Sequence, residues 1–296
     1  RYREVSAQVM AILAEETPRV ERVSIDEAFI DITPGRFAPE DPLLVARRIS
    51  DRVAALGVTC SIGVGCNKTV AKIASERDKP FGLTIVRPGT EQRFLAALPV
   101  SAMSGIGRSA EERLRRMRIY TLGELSRAPE STLASIFGVN GERMRQRALG
   151  LEISEVTSLD EGREVKSVSN ERTFAKDLTE RGDIEAAIAL LGESVGRRLR
   201  RQGLTGGTVT LKLKYSYGSG RTAQRRLPHP TDDENIFVAV ALELLDNIWQ
   251  EGMHVRLAGI GMSDFDHQGG IQTDLFCEVD DRGAQSSDRR DLSVAI

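Results

Sequence analysis

Cysteine and histidine are scarce in this sequence, with three of each among its 296 residues. No two cysteines have the C-x-x-C spacing of a zinc or redox motif, and the histidines are scattered along the chain. The odd number of cysteines also argues against a disulfide framework. We therefore expect no structural zinc and a reduced, cytoplasmic compartment.

Long apolar runs are absent as well. No stretch approaches the roughly 20 apolar residues that span a bilayer, and the first residues show a helical pattern where a secretory signal would be apolar. Hydrophobic residues make up 40% of the chain and charged residues 28%, which is typical of a soluble globular protein. We expect no membrane partner, and the length allows two or three domains.

The net charge of -2 is unevenly distributed. Residues 163–226 contain 14 Lys and Arg against 7 Asp and Glu, whereas residues 264–296 contain 3 Arg against 8 acids. A basic middle with an acidic tail suits a protein that holds a polyanion such as nucleic acid. The alternative is an ordinary solvated surface.

The chain changes character three times. Strand-like and helical segments alternate up to residue 98, which indicates an α/β or α+β layer. Short helices with glycine turns fill 99–150, and the polar segment 151–164 has the pattern of a linker. The predicted helices of the first part are 2–13, 43–56 and 67–76, and its predicted strands are 22–32, 59–65 and 83–86.

A further unit is predicted over 165–263, with the order strand, helix, strand, strand, helix, strand. Thr231 is a plausible N-cap for its second helix, with Glu234 three residues on as the partner in a capping box. The remaining residues, 264–296, are acidic and lack a clear period.

Asp26 and Glu27 are adjacent acids within the apolar strand-like segment 22–32. Burying two carboxylates there is costly unless cations compensate. In a strand their side chains would start on opposite faces, but at a strand end or a bend both could reach a shared pair of metal ions. The alternative is a solvated pair of acids at a strand end.

The sequence around these acids resembles that of a known family. Residues 2–6 with 24–33, and 61–75 with 79–82, resemble two palm blocks of the Y-family (translesion) DNA polymerases, in the same order. The resemblance continues nearly to the end of the chain. It implies an α+β multidomain fold with a partial polymerase palm (1–98), a small helical thumb with a helix-hairpin-helix (99–150), a linker (151–164) and a little finger of four strands and two helices (165–263).

The resemblance also implies chemistry. Asp26 and Glu27 would be two of the three carboxylates that hold two Mg²⁺ ions for nucleotidyl transfer. The family's third ligand, an aspartate early in its first strand, has no counterpart here, and neither has its fingers segment. We therefore expect that an N-terminal segment is missing and that the displayed chain alone does not polymerise DNA.

Three lysines follow in the second palm block. Lys68 and Lys72 are four apart and share one face of a predicted helix that starts at Asn67, where free N–H groups favour anions. By the resemblance, Lys79 would contact the triphosphate of the incoming deoxynucleotide, and Lys72 would lie near it or near the primer end. Lys68 and Ser24 are candidate contacts to DNA. The alternative for each lysine is an exposed side chain on a solvated helix.

Candidate contacts to DNA phosphates continue in the next two units. The turn at Gly105, Gly107 and Arg108 is typical of a helix-hairpin-helix, whose backbone N–H groups can approach a phosphate. In the four-stranded unit one sheet face can lie against DNA, but strand register decides which side chains occupy it. The candidates there are Lys166, Arg172, Lys212, Lys214, Arg221 and Arg225.

Gln272, Leu275 and Phe276 lie in a pentapeptide similar to the motif by which bacterial polymerases dock on the sliding clamp. The alternative is an apolar pair that folds back on the preceding unit. The expected partners are primer-template DNA, deoxynucleoside triphosphates and the sliding clamp. Besides a polymerase, two other functions stay open: a non-catalytic adaptor that binds DNA and the clamp, and a helix-hairpin-helix repair protein.

Overall fold

The computed structural model of this chain describes residues 1–35, 40–158 and 165–265. The chain divides into two compact units, Arg1–Gly162 and Arg163–Ile296. No helix within these described ranges is long and apolar enough to cross a membrane.

The first unit begins with two helices and a short β-hairpin. The two strands pair antiparallel, with Glu21 opposite Phe29. The predicted single strand over 22–32 is confirmed only at Arg22 and Ala28–Ile30, because the chain reverses direction between Arg22 and Ala28. Both helices bury apolar side chains against the same small core, which includes Ile12. The elements are α1 (Tyr2–Glu16), β1 (Val20–Arg22), β2 (Ala28–Ile30) and α2 (Pro42–Ala55).

A parallel pair of short strands follows, with a helix as the crossover. β3 (Ile62–Val64) pairs with β4 (Leu83–Ile85), and α3 (Lys68–Arg77) connects them. At Gly63 a Cβ atom would lie 2.0 Å from the carbonyl oxygen of Ala71, so the helix approaches the strand more closely than any other residue would allow. This close packing fixes α3 on β3.

The rest of the first unit is helical. Its five α-helices bury leucines such as Leu95, Leu114 and Leu122 in one hydrophobic core, which also takes in Val70 and Ile73 of α3. Two 3₁₀ turns, Val100–Ala102 and Gly138–Asn140, join the helices. The helices are α4 (Glu91–Ala96), α5 (Arg108–Arg116), α6 (Leu122–Arg127), α7 (Glu130–Phe137) and α8 (Gly141–Leu149).

The second unit is a four-stranded antiparallel sheet with two helices, and its predicted element order is confirmed. The strand order is β5-β8-β6-β7. Val209, Leu211 and Leu213 of the sheet share one core with Ile188 and Phe237 of the helices. The elements are β5 (Ser167–Leu178), α9 (Arg181–Gln202), β6 (Gly206–Tyr215), β7 (Gly220–Thr231), α10 (Glu234–Ile248) and β8 (Val255–Phe265).

The predicted N-cap of α10 is wrong. Thr231 still pairs with Gly206 at the end of β7. Asp233 caps the helix instead, since its Oδ1 accepts a 2.9 Å hydrogen bond from the backbone N–H of Asn235. The strand extends further than its apolar pattern indicates, and this shifts the cap by two residues.

Candidate active site and nucleic-acid interface

The two candidate catalytic acids lie in the turn that joins β1 to β2. The carbonyl oxygen of Glu27 accepts hydrogen bonds from the backbone N–H groups of Val23 (2.9 Å) and Ser24 (3.1 Å), which closes the turn. The side chain of Asp26 is exposed and that of Glu27 is partly buried. The pair therefore projects from a bend, so the opposite faces of a strand do not separate the two carboxylates.

Ser24 holds the Asp26 side chain in place. Its hydroxyl donates to Asp26 Oδ1 at 2.6 Å and accepts from the Asp26 backbone N–H at 3.3 Å. The Ser24 hydrogen bond, Asp26's own backbone N–H and the nearby charges of Lys72 and Lys79 hold the pKa of Asp26 below its usual value. Asp26 is therefore a carboxylate at neutral pH. The predicted contact of Ser24 with DNA stays a prediction.

A row of alternating charges runs from Glu27 along α3. Lys72 Nζ lies 2.9 Å from Glu27 Oε2 and 3.1 Å from Glu76 Oε1, and Lys79 Nζ lies 2.8 Å from the same Glu76 oxygen. Partial burial alone would lower the pKa of Lys72, but its bonds to Glu27 and Glu76 outweigh that effect and raise it. The pKa of Glu76 is lowered, chiefly by the hydrogen bond from Lys79. The structure thus brings Asp26, Glu27 and two candidate lysines together.

Lys68 occupies a different environment one turn earlier on α3. Its Nζ lies 2.7 Å from Oε2 of Glu21, which is buried and also accepts a 3.1 Å hydrogen bond from the backbone N–H of Thr157. Burial would raise the pKa of Glu21, but the hydrogen bonds from Lys68 and Thr157 outweigh it and lower that pKa. Lys68 is 21% exposed and is bound within the unit, which favours a structural role.

The segment after α8 is fixed against α3. Asn67, which caps α3 by accepting from the Val70 backbone N–H (3.0 Å), donates through Nδ2 to the carbonyl oxygen of Gly150 at 2.7 Å. The hydroxyl of Thr69 on α3 donates to Glu152 Oε2 at 2.5 Å. The start of the predicted linker, up to Ser158, therefore belongs structurally to the first unit.

The predicted helix-hairpin-helix turn is open and well braced. Gly105 has a φ of +95°, which favours glycine, and nothing lies within 4 Å of a Cβ placed on Gly107. Arg147 of α8 braces the turn by donating to the carbonyl oxygen (2.8 Å) and the hydroxyl (2.9 Å) of Ser104. Arg108 begins α5 with a 91% exposed side chain. These features leave room for a ligand backbone at the start of α5.

The register of the second unit separates its candidate cations onto two faces. Lys212 and Lys214 alternate with the buried Leu211 and Leu213, so they lie on the face turned away from the helices. We call it the open face. It comprises Ser167, Ser169, Glu171, Thr173, Thr208, Thr210, Lys212, Lys214, Gly220, Thr222, Gln224, Arg226, Leu257, Gly259, Gly261 and Ser263.

Three predicted cations lie on the opposite, helix-covered side of the sheet. Arg172 pairs in register with the buried Ala258, and Arg221 and Arg225 pair with core residues of β6. Arg225 forms an ion pair with Glu243 of α10. These three arginines therefore lie on the face opposite to Lys212 and Lys214, and their contact with DNA stays a prediction. Lys166 lies exposed ahead of β5, outside the paired register.

Sequence reasoning missed Arg226, which lies on the open face opposite Thr208 with an 81% exposed side chain. The signal was present in the sequence. Ala223 and Leu227 mark the odd positions of β7 as the core side, so the even positions face outward.

Glycines keep the centre of the open face flat. Lys212 reaches across Gly259 to Glu171, with 2.6 Å between Nζ and Oε2. A Cβ atom on Gly259 would lie 2.7 Å from the Cβ of Glu171, and one on Gly261 would lie 2.9 Å from that of Ser169. Lys214 and Arg226 are thus the more exposed cations of this face.

The two carboxylates at the turn are donors that suit magnesium. Carboxylate oxygens are the ligands that Mg²⁺ prefers, and Asp26 and Glu27 supply them. Within the described ranges, no group of three or more His, Cys, Asp or Glu could hold a metal ion. Gln272, Leu275 and Phe276 lie outside the described residues.

Comparisons with known proteins agree along most of the chain. The family model "impB/mucB/samB family" matches residues 1–76, and "impB/mucB/samB family C-terminal domain" matches 165–275. The protein named DNA polymerase IV of Lactococcus lactis subsp. cremoris is 36% identical over 90% of this chain and 72% of its own length. DNA polymerase IV of Moorella thermoacetica is 37% identical over 94% of this chain and 70% of its own length.

Solved structures show the same fold. A chimera of the Y-family DNA polymerases Dbh and Dpo4 superposes with a TM-score of 0.74 at 23% identity, covering 89% of this chain and 76% of its own. An insertion ternary complex of Dbh DNA polymerase gives a TM-score of 0.53 at 23% identity, covering 88% of this chain and 75% of its own. At this identity the likeness concerns the fold, which is α+β with a four-stranded antiparallel sheet.

Proposed function

This chain belongs to the impB/mucB/samB family, the Y-family DNA polymerases, and on that basis we propose that it serves template-directed nucleotidyl transfer in translesion synthesis and DNA repair. The observation that carries the proposal is the cluster of Asp26 and Glu27 with Lys72 and Lys79 at one turn. It combines metal-binding oxygens with cations suited to a triphosphate.

Asp26 and Glu27 would hold two Mg²⁺ ions together with a third ligand. Bound magnesium lowers the pKa of a hydroxyl nucleophile and stabilises the charge of a leaving pyrophosphate. The chain's own part is to keep Asp26 charged, through Ser24 and the nearby lysines, and to present both carboxylates from one bend. The bend makes a shared site possible without burying either carboxylate in the sheet.

Lys72 and Lys79 would orient the triphosphate of the incoming deoxynucleotide. Both ammonium groups already share an anionic partner, because each lies within 3.1 Å of the same Glu76 oxygen. A phosphate oxygen can accept from the same donors with similar geometry. Lys68 has no part in this proposal, since Glu21 holds it elsewhere.

DNA would be held by its backbone. The helix-hairpin-helix turn offers backbone N–H groups at Gly107 and the exposed Arg108. The open face of the second unit offers Lys214 and Arg226; Lys212 is partly neutralised by Glu171, and Arg226 has a longer ion pair with Asp264, at 3.6 Å. Contacts of this kind position DNA without reading its sequence, and they weaken as salt rises.

The sliding clamp is the further partner we propose, through Gln272, Leu275 and Phe276. A leucine and a phenylalanine can fill an apolar pocket while the glutamine hydrogen-bonds at its rim. Replacing Leu275 and Phe276 by alanine should abolish binding to a bacterial sliding clamp and leave DNA binding unchanged, as measured by surface plasmon resonance. Equal clamp binding by the variant would remove the clamp from the proposal.

A non-catalytic adaptor is the second candidate. It is favoured by one observation: no third carboxylate joins Asp26 and Glu27 among the described residues. In that case the chain would bind DNA and the clamp, and the two acids would serve only the turn. We propose the polymerase as the family's function; because no third carboxylate joins Asp26 and Glu27 among the described residues, we expect primer extension to need a further metal ligand.

Primer extension with magnesium distinguishes the two candidates. Three proteins are compared: this chain, a fusion that places the N-terminal residues of the Lactococcus lactis relative ahead of Arg1, and the same fusion with Asp26→Ala and Glu27→Ala. Extension by the intact fusion alone supports the polymerase. A fusion that binds primer-template DNA but extends nothing would favour the adaptor.

A further inference from the structure

We infer that Ser6 and Arg22 are positioning residues that hold the carboxylate turn against α1. The inference rests on the proposed function, because it concerns how Asp26 and Glu27 are kept ready to bind metal. Neither residue touches the carboxylates in the described contacts; both act on the backbone that carries them.

Ser6 is buried on α1, 19 residues before the turn carbonyl that it binds. Its hydroxyl donates to the carbonyl oxygen of Ile25 at 2.5 Å and accepts from Arg22 Nη2 at 3.2 Å. Arg22 Nε donates to the carbonyl oxygen of Ser24 at 3.1 Å. One hydroxyl and one guanidinium thus bind the two carbonyl groups that immediately precede Asp26.

Apart from these two residues, the contacts that hold the turn are local or made by side chains: Ser24 binds Asp26, and Lys72 binds Glu27. Its two apolar side chains, Val23 and Ile25, are 40% and 45% exposed, so packing contributes little. Its internal backbone bonds converge on one acceptor, the carbonyl of Glu27. Without Ser6 and Arg22, the carbonyls of Ser24 and Ile25 would lose their described partners and the bend could rotate about Asp26.

Helix α1 is a firm base for this contact. It buries Met10 and Ile12, and its C-cap residue Thr17 binds the other end of the same hairpin by donating to the carbonyl oxygen of Asp31 at 2.8 Å. The hairpin is therefore attached to α1 at both ends, with Ser6 at the end that carries the acids. Metal sites depend on such supporting contacts for their geometry.

Binding of Mn²⁺, added as MnCl₂ and followed by electron paramagnetic resonance, tests this on the 296-residue chain. We expect Ser6→Ala to weaken Mn²⁺ binding about tenfold, and Arg22→Met to weaken it by a smaller factor. The matched control is Ser126→Ala, which removes another buried serine hydroxyl that donates to a backbone carbonyl, that of Gly123 at 2.9 Å. It should leave Mn²⁺ binding unchanged.

Urea unfolding accompanies each titration, so that a loss of fold is separated from a loss of positioning. Arg22 is exposed, and its replacement keeps the inference testable if Ser6→Ala does not fold. Mn²⁺ binding by the folded Ser6→Ala and Arg22→Met chains that equals that of Ser126→Ala would overturn the inference.

A chain with Asp26→Ala and Glu27→Ala separates this inference from the proposed function. If that chain binds Mn²⁺ less well but Ser6→Ala and Arg22→Met do not, only the positioning role is wrong. If the double alanine chain binds Mn²⁺ as well as the unaltered chain, the carboxylate site itself is wrong and the positioning role is overturned with it.

Discussion

In the first unit, ion pairs with individual neighbouring residues determine where the candidate charged side chains lie. In the second unit, strand register determines which face of the sheet each cation occupies. In the first unit Lys68 and Lys72, four residues apart on α3, have different partners: Lys68 binds the buried Glu21, and Lys72 binds Glu27 beside the exposed Asp26. In the second unit Arg225 and Arg226 are adjacent yet lie on opposite faces of the sheet. Residue type therefore predicts a role poorly in both units, for different physical reasons.

The largest effect we expect is a loss of stability when the ion pair between the buried Glu21 and Lys68 is broken. Glu21→Gln removes the charge that neutralises Lys68, and we expect it to lower the free energy of unfolding by about 2 kcal/mol at pH 7. Glu15→Gln, at an exposed ion pair with Arg52 (2.6 Å), should cost less than about 0.5 kcal/mol. Urea unfolding measures both. Equal losses would show that burial does not distinguish the two pairs.

The pH dependence of this loss has a definite sign. The folded-state pKa of Glu21 is lowered, so the stability it contributes is present above its unfolded-state pKa, about 4.3, and is lost as the pH falls through the folded-state value. The difference in the free energy of unfolding between the unaltered chain and Glu21→Gln should therefore become smaller below about pH 4. A gap that is constant from pH 7 to pH 3 would contradict this assignment.

The second effect concerns the charge row on α3. Lys79→Ala should weaken binding of a fluorescent deoxynucleoside triphosphate about tenfold, because it removes one charge-assisted bond to phosphate. Arg77→Ala removes a charge two residues earlier, at the end of α3, but Arg77 lies over the ring of Phe94, 5.5 Å from its centroid, and should change binding little. If both variants lost nucleotide affinity to a similar extent, the overall positive charge of this region would bind the nucleotide, and Lys79 would have no specific role.

The sequence predicted the second unit's element order because its apolar positions repeat with clear periods over long elements. It also predicted Asp26 and Glu27 as metal ligands, and this stays a prediction. It did not reveal the turn that carries them, since Val23 and Ile25 alternate as in a strand although both are 40% or more exposed. Contacts such as Ser6 with Ile25 or Lys68 with Glu21 join residues 19 and 47 positions apart, and no local pattern marks them.

In the four-stranded sheet of the second unit, the face on which each side chain lies was predictable in principle. Val209, Leu211 and Leu213 set the core side of β6, and Ala223 with Leu227 sets that of β7. Residue type alone named Arg221, Arg225 and Lys212 as candidates without assigning them to a face, and it passed over Arg226. The alternation within each strand carries the information that residue type lacks.

The third effect tests these faces directly. The double variant Lys214→Ala with Arg226→Ala should lower the affinity for primer-template DNA about tenfold. The slope of log affinity against log salt concentration should become shallower by about two, since about two fewer counterions are released on binding. Arg221→Ala with Arg225→Ala removes the same charge from the helix side and should leave the salt dependence nearly unchanged. Fluorescence anisotropy at several salt concentrations measures both pairs. Equal slopes would show that the open face is not the DNA surface of this unit.

The smallest loss of stability is expected at the start of α10, which follows the end of β7 after only two residues. Asp233→Ala removes the oxygen that accepts from the Asn235 backbone N–H, and we expect it to lower the free energy of unfolding by about 1 kcal/mol. Thr231→Ala removes a hydroxyl that accepts only from the Asp233 backbone N–H (3.0 Å) at the end of β7, and should cost about half as much or less. Thermal unfolding of the two variants gives the order. A larger loss for Thr231→Ala would mean that the turn before the helix, rather than the helix cap, determines stability here, and register would then govern even the helix start in this unit.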